Sequence, residues 1–209
     1  MKSSTFKLFE NKFIDLHDGT CEYKIDLLPA YAINYTELFI GGLSHTEGIN
    51  YKLDIENSRL VITYDYSTCI EQAQSQENTL LINYFGIRDY TLLFPKISDS
   101  ILAKRLGEFY EDSEKCFDNN AWLPYSLMCG AIFEGILFSK YNKNDKFCTL
   151  IESALSLKDI DETTAKIMND TRNTRNLVHS NRCKTDYTSR LNAMDIRTTM
   201  DKLIKEFKY

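Results

Sequence analysis

The spacing of the apolar residues changes once along the chain, and this change limits the fold more than any other feature. From residue 5 to about residue 97 the apolar runs are short, rich in Tyr, Phe, Ile and Thr, and interrupted by turn residues, a pattern typical of β-strands. Beyond that point apolar residues recur with a helical period of about 3.6. We therefore predict an α+β protein, with an N-terminal antiparallel β-rich domain over 1–97 and a C-terminal all-α helical bundle over 98–209.

The N-terminal pattern predicts two hairpins and several further strands. Thr5–Ile14 and Thr20–Leu28 flank a Gly-containing turn at 17–19. Residues 49–55 and 59–66 alternate apolar and polar side chains on either side of a polar turn, as half-buried strands do. Additional strands are predicted at 32–40, 79–85 and 90–94.

The C-terminal pattern predicts five helices. Ser98 or Asp99 is a suitable N-cap for the first helix, and Asp161 for the fourth. The second helix is apolar nearly all round, so we expect it to lie at the centre of the bundle. The predicted helices span 98–117, 121–140, 146–157, the stretch after Asp161, and 188–207.

Charge is distributed unevenly between the two halves. The net charge is −5; residues 1–97 carry 8 basic and 13 acidic side chains, whereas residues 98–209 carry 17 of each. Within the second half, residues 172–209 hold 9 basic and 4 acidic side chains. This local excess can attract phosphate backbones weakly, although a solvated helical face accounts for it equally well.

Hydropathy and cysteine spacing indicate the compartment. No apolar run reaches the length of a membrane-spanning helix, and the first residues lack the apolar stretch of a secretory signal. We expect a cytoplasmic protein with no membrane association. The six cysteines are widely spaced without a Cys-x-x-Cys pair, which favours reduced, mostly buried thiols and no metal site or cofactor. His17 and His45 are interpreted as surface-loop residues.

One stretch, 169–180, concentrates the unusual chemistry of the chain. It contains two Arg and one of only three His residues. At about 100° per residue on a helix, four of its side chains fall within one arc of about 100°: Arg172, Arg175, Asn176 and His179. Apolar residues lie on the same stripe of the helix. An inward-facing cationic stripe requires carboxylates, nucleic-acid phosphates or both as partners.

Glu134 is a candidate partner for this stripe. It is the one charged residue between Trp122 and Ser139, in the most apolar helix. A carboxylate there is costly unless it is paired, and Arg172 and Arg175 are the nearest plausible partners if the two helices pack together. Alternatively, Glu134 lies at the solvent edge of its helix.

These residues resemble the HEPN superfamily. Its hallmark is an Arg, followed by a polar residue such as Asn and, a few residues later, a His late in a helical bundle. Six residues separate Arg172 from His179, and Asn173 directly follows the Arg. The segment Arg175–His179, Arg-Asn-Leu-Val-His, is also similar to a sequence that recurs in bacterial HEPN-like domains, but its spacing is shorter. Both Arg residues are therefore candidates for the motif Arg.

The resemblance implies a metal-independent endoribonuclease of the toxin or antiviral-defence kind. In such an enzyme the RNA 2′-OH attacks the adjacent phosphate in a composite cleft formed by a homodimer. His179 would carry protons and Arg172 would stabilise the phosphate in the transition state. The supporting residues would be Arg175, Asn173, Asn176 and Glu134, with Arg182 and Lys184 binding RNA.

A different class of function is compatible with the same residues. The stripe can be a polar network in a non-catalytic HEPN-like interaction or regulatory module that binds a protein or nucleic-acid partner, or it can simply cross-link helices. In the enzyme interpretation, the β-rich half would sense a trigger, hold an antitoxin-like partner or restrain the nuclease. Its negative charge makes it a poor nucleic-acid clamp on its own.

Overall fold

The computed structural model describes residues 1–8, 13–40, 43–44, 49–64, 78–141 and 145–207. The chain forms two compact units, Met1–Leu92 and Leu93–Tyr209. Antiparallel sheets make up the first unit and helices dominate the second. The protein is therefore mixed α+β, as the change of period predicts.

Eight strands are present in the described part of the first unit. They form two four-stranded sheets with the orders β1-β8-β4-β5 and β2-β3-β7-β6, and every pair is antiparallel. The strands are β1 (Lys2–Leu8), β2 (Phe13–Asp15), β3 (Thr20–Lys24), β4 (Tyr31–Ile40), β5 (Leu43–Ser44), β6 (Ile49–Asp54), β7 (Arg59–Tyr64) and β8 (Asn78–Ile87).

The hairpin predicted on either side of residues 56–58 is confirmed as β6 and β7. The hairpin predicted around residues 17–19 is confirmed only in part. Short β2 pairs with β3, and His17 lies exposed in the turn with a positive φ of 61°. The first part of the predicted strand is instead β1, which pairs with β8 in the other sheet.

The C-terminal end of the first unit corrects another prediction. Residues 78–87 form one continuous strand, β8, whose Leu80 and Ile82 are fully buried. The strand predicted at 90–94 is wrong, because Tyr90–Leu93 is a 3₁₀ helix. The side chain of Asp89 accepts a hydrogen bond from the Thr91 N–H at 2.9 Å, and this local bond favours a turn over a strand.

Some predicted features lie outside the described residues. These are His45, residues 65 and 66 at the end of the strand predicted at 59–66, and Cys69.

The described residues of the second unit form five α-helices. Asp99 caps the first helix by accepting from the Ile101 and Leu102 N–H groups, and Asp161 caps the fourth by accepting from the Thr164 N–H. Both predicted caps are confirmed. The helices are α1 (Ser100–Asp118), α2 (Trp122–Tyr141), α3 (Phe147–Ser156), α4 (Glu162–Thr174) and α5 (Arg190–Glu206).

Helix α2 lies at the centre of this unit and contacts the other four helices. Its side chains Ile132, Phe133, Ile136 and Leu137 have no exposed surface. By length and composition alone, α2 is also apolar enough to cross a membrane. Of its apolar 18-residue window, 44% is buried inside the protein. The central helix of a bundle passes the same test, because both environments favour apolar residues on every face.

Five cysteines lie in the described residues, and all are free thiols. Cys21 and Cys129 are buried, whereas Cys183 is exposed. Burial raises the pKa of the Cys129 thiol to about 12, which keeps it protonated at neutral pH.

Close contact between α1 and α2 is tested by two matched glycine substitutions in α2. A Cβ at Gly135 would lie 2.5 Å from Cδ2 of buried Leu106, whereas a Cβ at Gly130 would meet only Thr171 Cγ2 at 3.4 Å. Both changes to Ala improve helix propensity. Gly135→Ala alone overpacks the interface, at a cost of about 1–3 kcal/mol. We expect urea unfolding to show Gly135→Ala less stable than Gly130→Ala by that amount. Equal stabilities would contradict the close packing.

Candidate functional site

A cleft of about 660 Å³ in the helical unit contains the predicted motif. Its walls come from α2, the start of α3, the end of α4 and the turn that follows α4. All six predicted catalytic and supporting residues line it. The described lining residues are Leu127, Glu134, Lys146, Phe147, Cys148, Arg172, Asn173, Arg175, Asn176, Val178 and His179.

The motif is not one continuous helix, so the predicted helical arc is wrong. Helix α4 ends at Thr174, Arg175–Val178 is a 3₁₀ helix, and His179 is extended with φ −86° and ψ 133°. The cause is local. The Thr171 and Thr174 hydroxyls donate to backbone carbonyls of Ile167 and Thr171, and such Thr-rich and Asn-rich sequence weakens a helix interior.

The backbone of His179 is held on both sides. Its N–H donates to the Asn176 carbonyl at 3.2 Å, and its own carbonyl accepts from the Arg182 N–H at 2.9 Å. His179 thus sits between two 3₁₀ turns, Arg175–Val178 and Ser180–Arg182. This geometry fixes where the imidazole leaves the backbone, at the edge of the cleft.

The motif side chains face solvent more than the sequence predicts. Arg175, Asn176 and His179 are exposed, and only Arg172 is half-buried. The Nε of Arg172 is buried and has no hydrogen-bond partner within the described residues. The predicted inward-facing stripe is therefore wrong for every motif residue except Arg172, because the chain leaves the α-helical path after Thr174.

Glu134 does pair with a motif Arg, but at the surface. Its Oε2 lies 4.0 Å from Arg175 Nη1, and the two side chains are 40% and 64% exposed. An ion pair this long and this exposed contributes less than about 1 kcal/mol. Both of the earlier interpretations thus hold in part, because Glu134 is paired and also lies at the solvent edge of α2.

The basic residues after the motif are placed elsewhere. Arg182 and Lys184 are exposed and are not among the described residues that line the cleft. Their predicted role in RNA binding would require RNA to extend beyond the cleft.

Sequence reasoning missed a third basic residue of the cleft, Lys146. It occupies the N-cap position of α3, and Phe147 and Cys148 of the first turn line the cleft beside it. Lys146 is 26 residues before Arg172 in the chain, so no local spacing pattern could connect the two. The packing of α3 against α4 and α2 brings them to the same cleft.

The cleft combines groups suited to binding an anion and moving a proton. Lys146, Arg172 and Arg175 are permanent cations at neutral pH, Glu134 is the one carboxylate among the described lining residues, and the His179 imidazole can both accept and donate a proton. Among the described residues, no group of three or more His, Cys, Asp or Glu side chains is arranged to hold a metal ion.

Comparisons with family models, with curated proteins and with solved structures find no match for this chain.

Helix α4 carries Arg172 and Asn173 of the cleft, and it depends on the cap at its start. Asp161 accepts from the Thr164 N–H at 2.7 Å and from Lys202 Nζ at 2.8 Å. The Lys202 bond, together with the bonds from Thr164, holds the pKa of the Asp161 carboxyl well below its usual range. This carboxylate therefore stabilises the fold above the unfolded-state pKa of about 4, and its contribution is lost as the pH falls through the lower folded-state pKa.

Two substitutions separate the cap from the ion pair. Asp161→Ala removes both and should lower the free energy of unfolding by about 0.5–2 kcal/mol at pH 7. Asp161→Asn keeps a capping oxygen and should be closer to the wild type. The deficit of both variants should shrink when urea unfolding is repeated below pH 4. A deficit that is independent of pH would contradict a charged Asp161 in the folded state.

Proposed function

We propose that the helical unit is HEPN-like and that its cleft cleaves RNA without a metal ion, in a cytosolic enzyme of the toxin or antiviral-defence kind. The observation that carries this proposal is that a single cleft gathers His179, Arg172 and Arg175. Their chemistry fits intramolecular attack of the RNA 2′-OH on the neighbouring phosphate.

The roles follow from position and charge. His179, fixed by its backbone at the cleft edge, transfers protons. Arg172 and Arg175 bind the phosphate and neutralise the charge that develops on it, which a planar guanidinium does well because it donates two parallel hydrogen bonds. Asn173 and Asn176 add neutral hydrogen-bonding groups to the same wall. Arg182 and Lys184 would contact RNA outside the cleft.

Glu134 acts as an exchangeable partner of Arg175. The pair is 4.0 Å long and solvent-exposed, so a phosphate can replace the carboxylate at little cost. In the absence of RNA, Glu134 keeps Arg175 over the cleft.

Each chain contributes one His to the cleft, whereas a base and an acid are ideally two groups. We propose that two copies bring their clefts together and that the second His179 completes the site. The β-rich unit would then sense a trigger or hold an antitoxin-like partner.

One observation favours a second candidate, a module that binds RNA or a protein without turnover. Within the described part of the chain, the imidazole of His179 makes no hydrogen bond. A catalytic His is commonly oriented by a further group, and a binding residue needs none.

Cleavage in EDTA separates the two functions. We expect the wild type to convert single-stranded RNA to fragments ending in 2′,3′-cyclic phosphate, and His179→Ala to lose about 100-fold or more in rate, the usual contribution of general acid–base catalysis. His17→Asn is the matched control, since His17 lies exposed in a turn of the other unit and Asn tolerates its positive φ. RNA binding without cleavage by any of the three would favour the module.

Charge-conserving substitutions distinguish the two Arg residues. Arg172 is half-buried with its Nε enclosed, so we expect Arg172→Lys to lose kcat nearly as severely as Arg172→Ala. Arg175 is exposed and pairs only loosely, so Arg175→Lys should restore most of the KM that Arg175→Ala loses. Steady-state kinetics on one RNA substrate measures both effects. The reverse pattern would assign the motif role to Arg175.

A further inference from the structure

The side chain of Lys146 makes no polar contact with the described residues that would stabilise the fold. Its side chain makes no cap hydrogen bond at the start of α3, and it forms no ion pair or side-chain hydrogen bond with any other described residue. The residue is exposed, yet it lines the cleft together with the motif residues. An unpaired lysine at the mouth of a cleft is free to bind an anionic ligand.

The charges of the cleft are not balanced within the protein. Lys146, Arg172 and Arg175 come from three different parts of its wall, α3, α4 and the 3₁₀ turn. Among the described residues, Glu134 forms an ion pair with Arg175 alone. Lys146 and Arg172 thus lack a carboxylate partner among the described residues, and the cleft has a net positive charge that a single Glu134 does not neutralise.

One phosphate group does not reach cations on separate walls, whereas a nucleic-acid strand presents a phosphate at every nucleotide. The cleft volume of about 660 Å³ lies within the usual range of ligand sites. A concave site of this size fits a single strand better than a duplex, whose 2′-hydroxyls lie in a shallow minor groove. Half-buried Leu127 gives the cleft some apolar surface for the sugar or base.

We propose that Lys146 forms a second phosphate subsite and binds the phosphate of single-stranded RNA next to the one held by Arg172 and Arg175. The inference rests on the proposed function of the cleft. Lys146 does not touch the reacting atoms in this arrangement, so it sets affinity and position along the strand rather than the rate of the chemical step. The positive end of the α3 dipole attracts the same phosphate as the Lys146 ammonium group does.

A non-cleavable ligand tests the subsite independently of catalysis. The probe is a fluorescent 2′-O-methyl oligoribonucleotide, which lacks the attacking hydroxyl, and binding is followed by anisotropy at several salt concentrations. Lys146→Ala should weaken binding on the order of fivefold to tenfold, as expected for one charge-assisted contact. The slope of log K against log salt should become less steep by about 0.7, the value for one phosphate contact on a single strand.

Lys104→Ala is the matched control. Lys104 is an exposed lysine on α1 that does not line the cleft and forms no ion pair among the described residues. We expect its affinity and salt slope to equal those of the wild type, and Lys146→Arg to retain most of the affinity. Equal affinity and slope for Lys146→Ala and the wild type would overturn the subsite.

Cleavage kinetics then separates this inference from the proposed function. If the wild type cleaves RNA, Lys146→Ala should raise KM and leave kcat nearly unchanged, unlike His179→Ala. Cleavage with an unchanged KM in Lys146→Ala refutes the subsite and leaves the nuclease intact. Weakened binding of the probe by Lys146→Ala, without cleavage by the wild type, supports the subsite and favours the non-catalytic module over the nuclease. Absence of probe binding by the wild type refutes the subsite.

Discussion

The burial of α2 is the constraint on which the helical unit depends. A helix that is apolar on nearly every face is unstable in water unless other elements cover much of it, and α1, α3, α4 and α5 all pack against α2. The walls of the cleft come from α2 itself, from α3 and α4, which pack against α2, and from the turn that follows α4. Glu134, the one charged residue between Trp122 and Ser139, lies at an edge of α2 where solvent and the end of α4 meet.

The end of α4 determines where the motif side chains Arg175 and His179 lie. If α4 had continued as an α-helix, Arg175, Asn176 and His179 would lie on the same face of the helix as Arg172. The change to 3₁₀ geometry, with fewer residues per turn, redirects the chain after Thr174 and brings His179 to the cleft edge in an extended conformation. The same departure exposes Arg175 to solvent, which keeps its contact with Glu134 weak and exchangeable.

Local chemistry explains what the sequence predicts well. The change of apolar period separates strands from helices, and Asp99 and Asp161 mark helix starts because their carboxylates accept the first free N–H groups. The motif residues Arg172, Arg175 and His179 line one cleft, since residues close in sequence stay close in space even where their conformation is predicted wrongly.

Tertiary structure alone decides the rest. Residues 2–8 join β8 rather than the neighbouring hairpin, because strand pairing depends on which apolar faces meet and not on distance along the chain. Lys146 enters the cleft only through the packing of α3 against α4. The sequence by itself determined most element types, the helix caps and the group of motif residues, all of which depend on local interactions. The tertiary structure decided the exposure of Glu134 and the third cation, because both depend on contacts between segments distant in sequence.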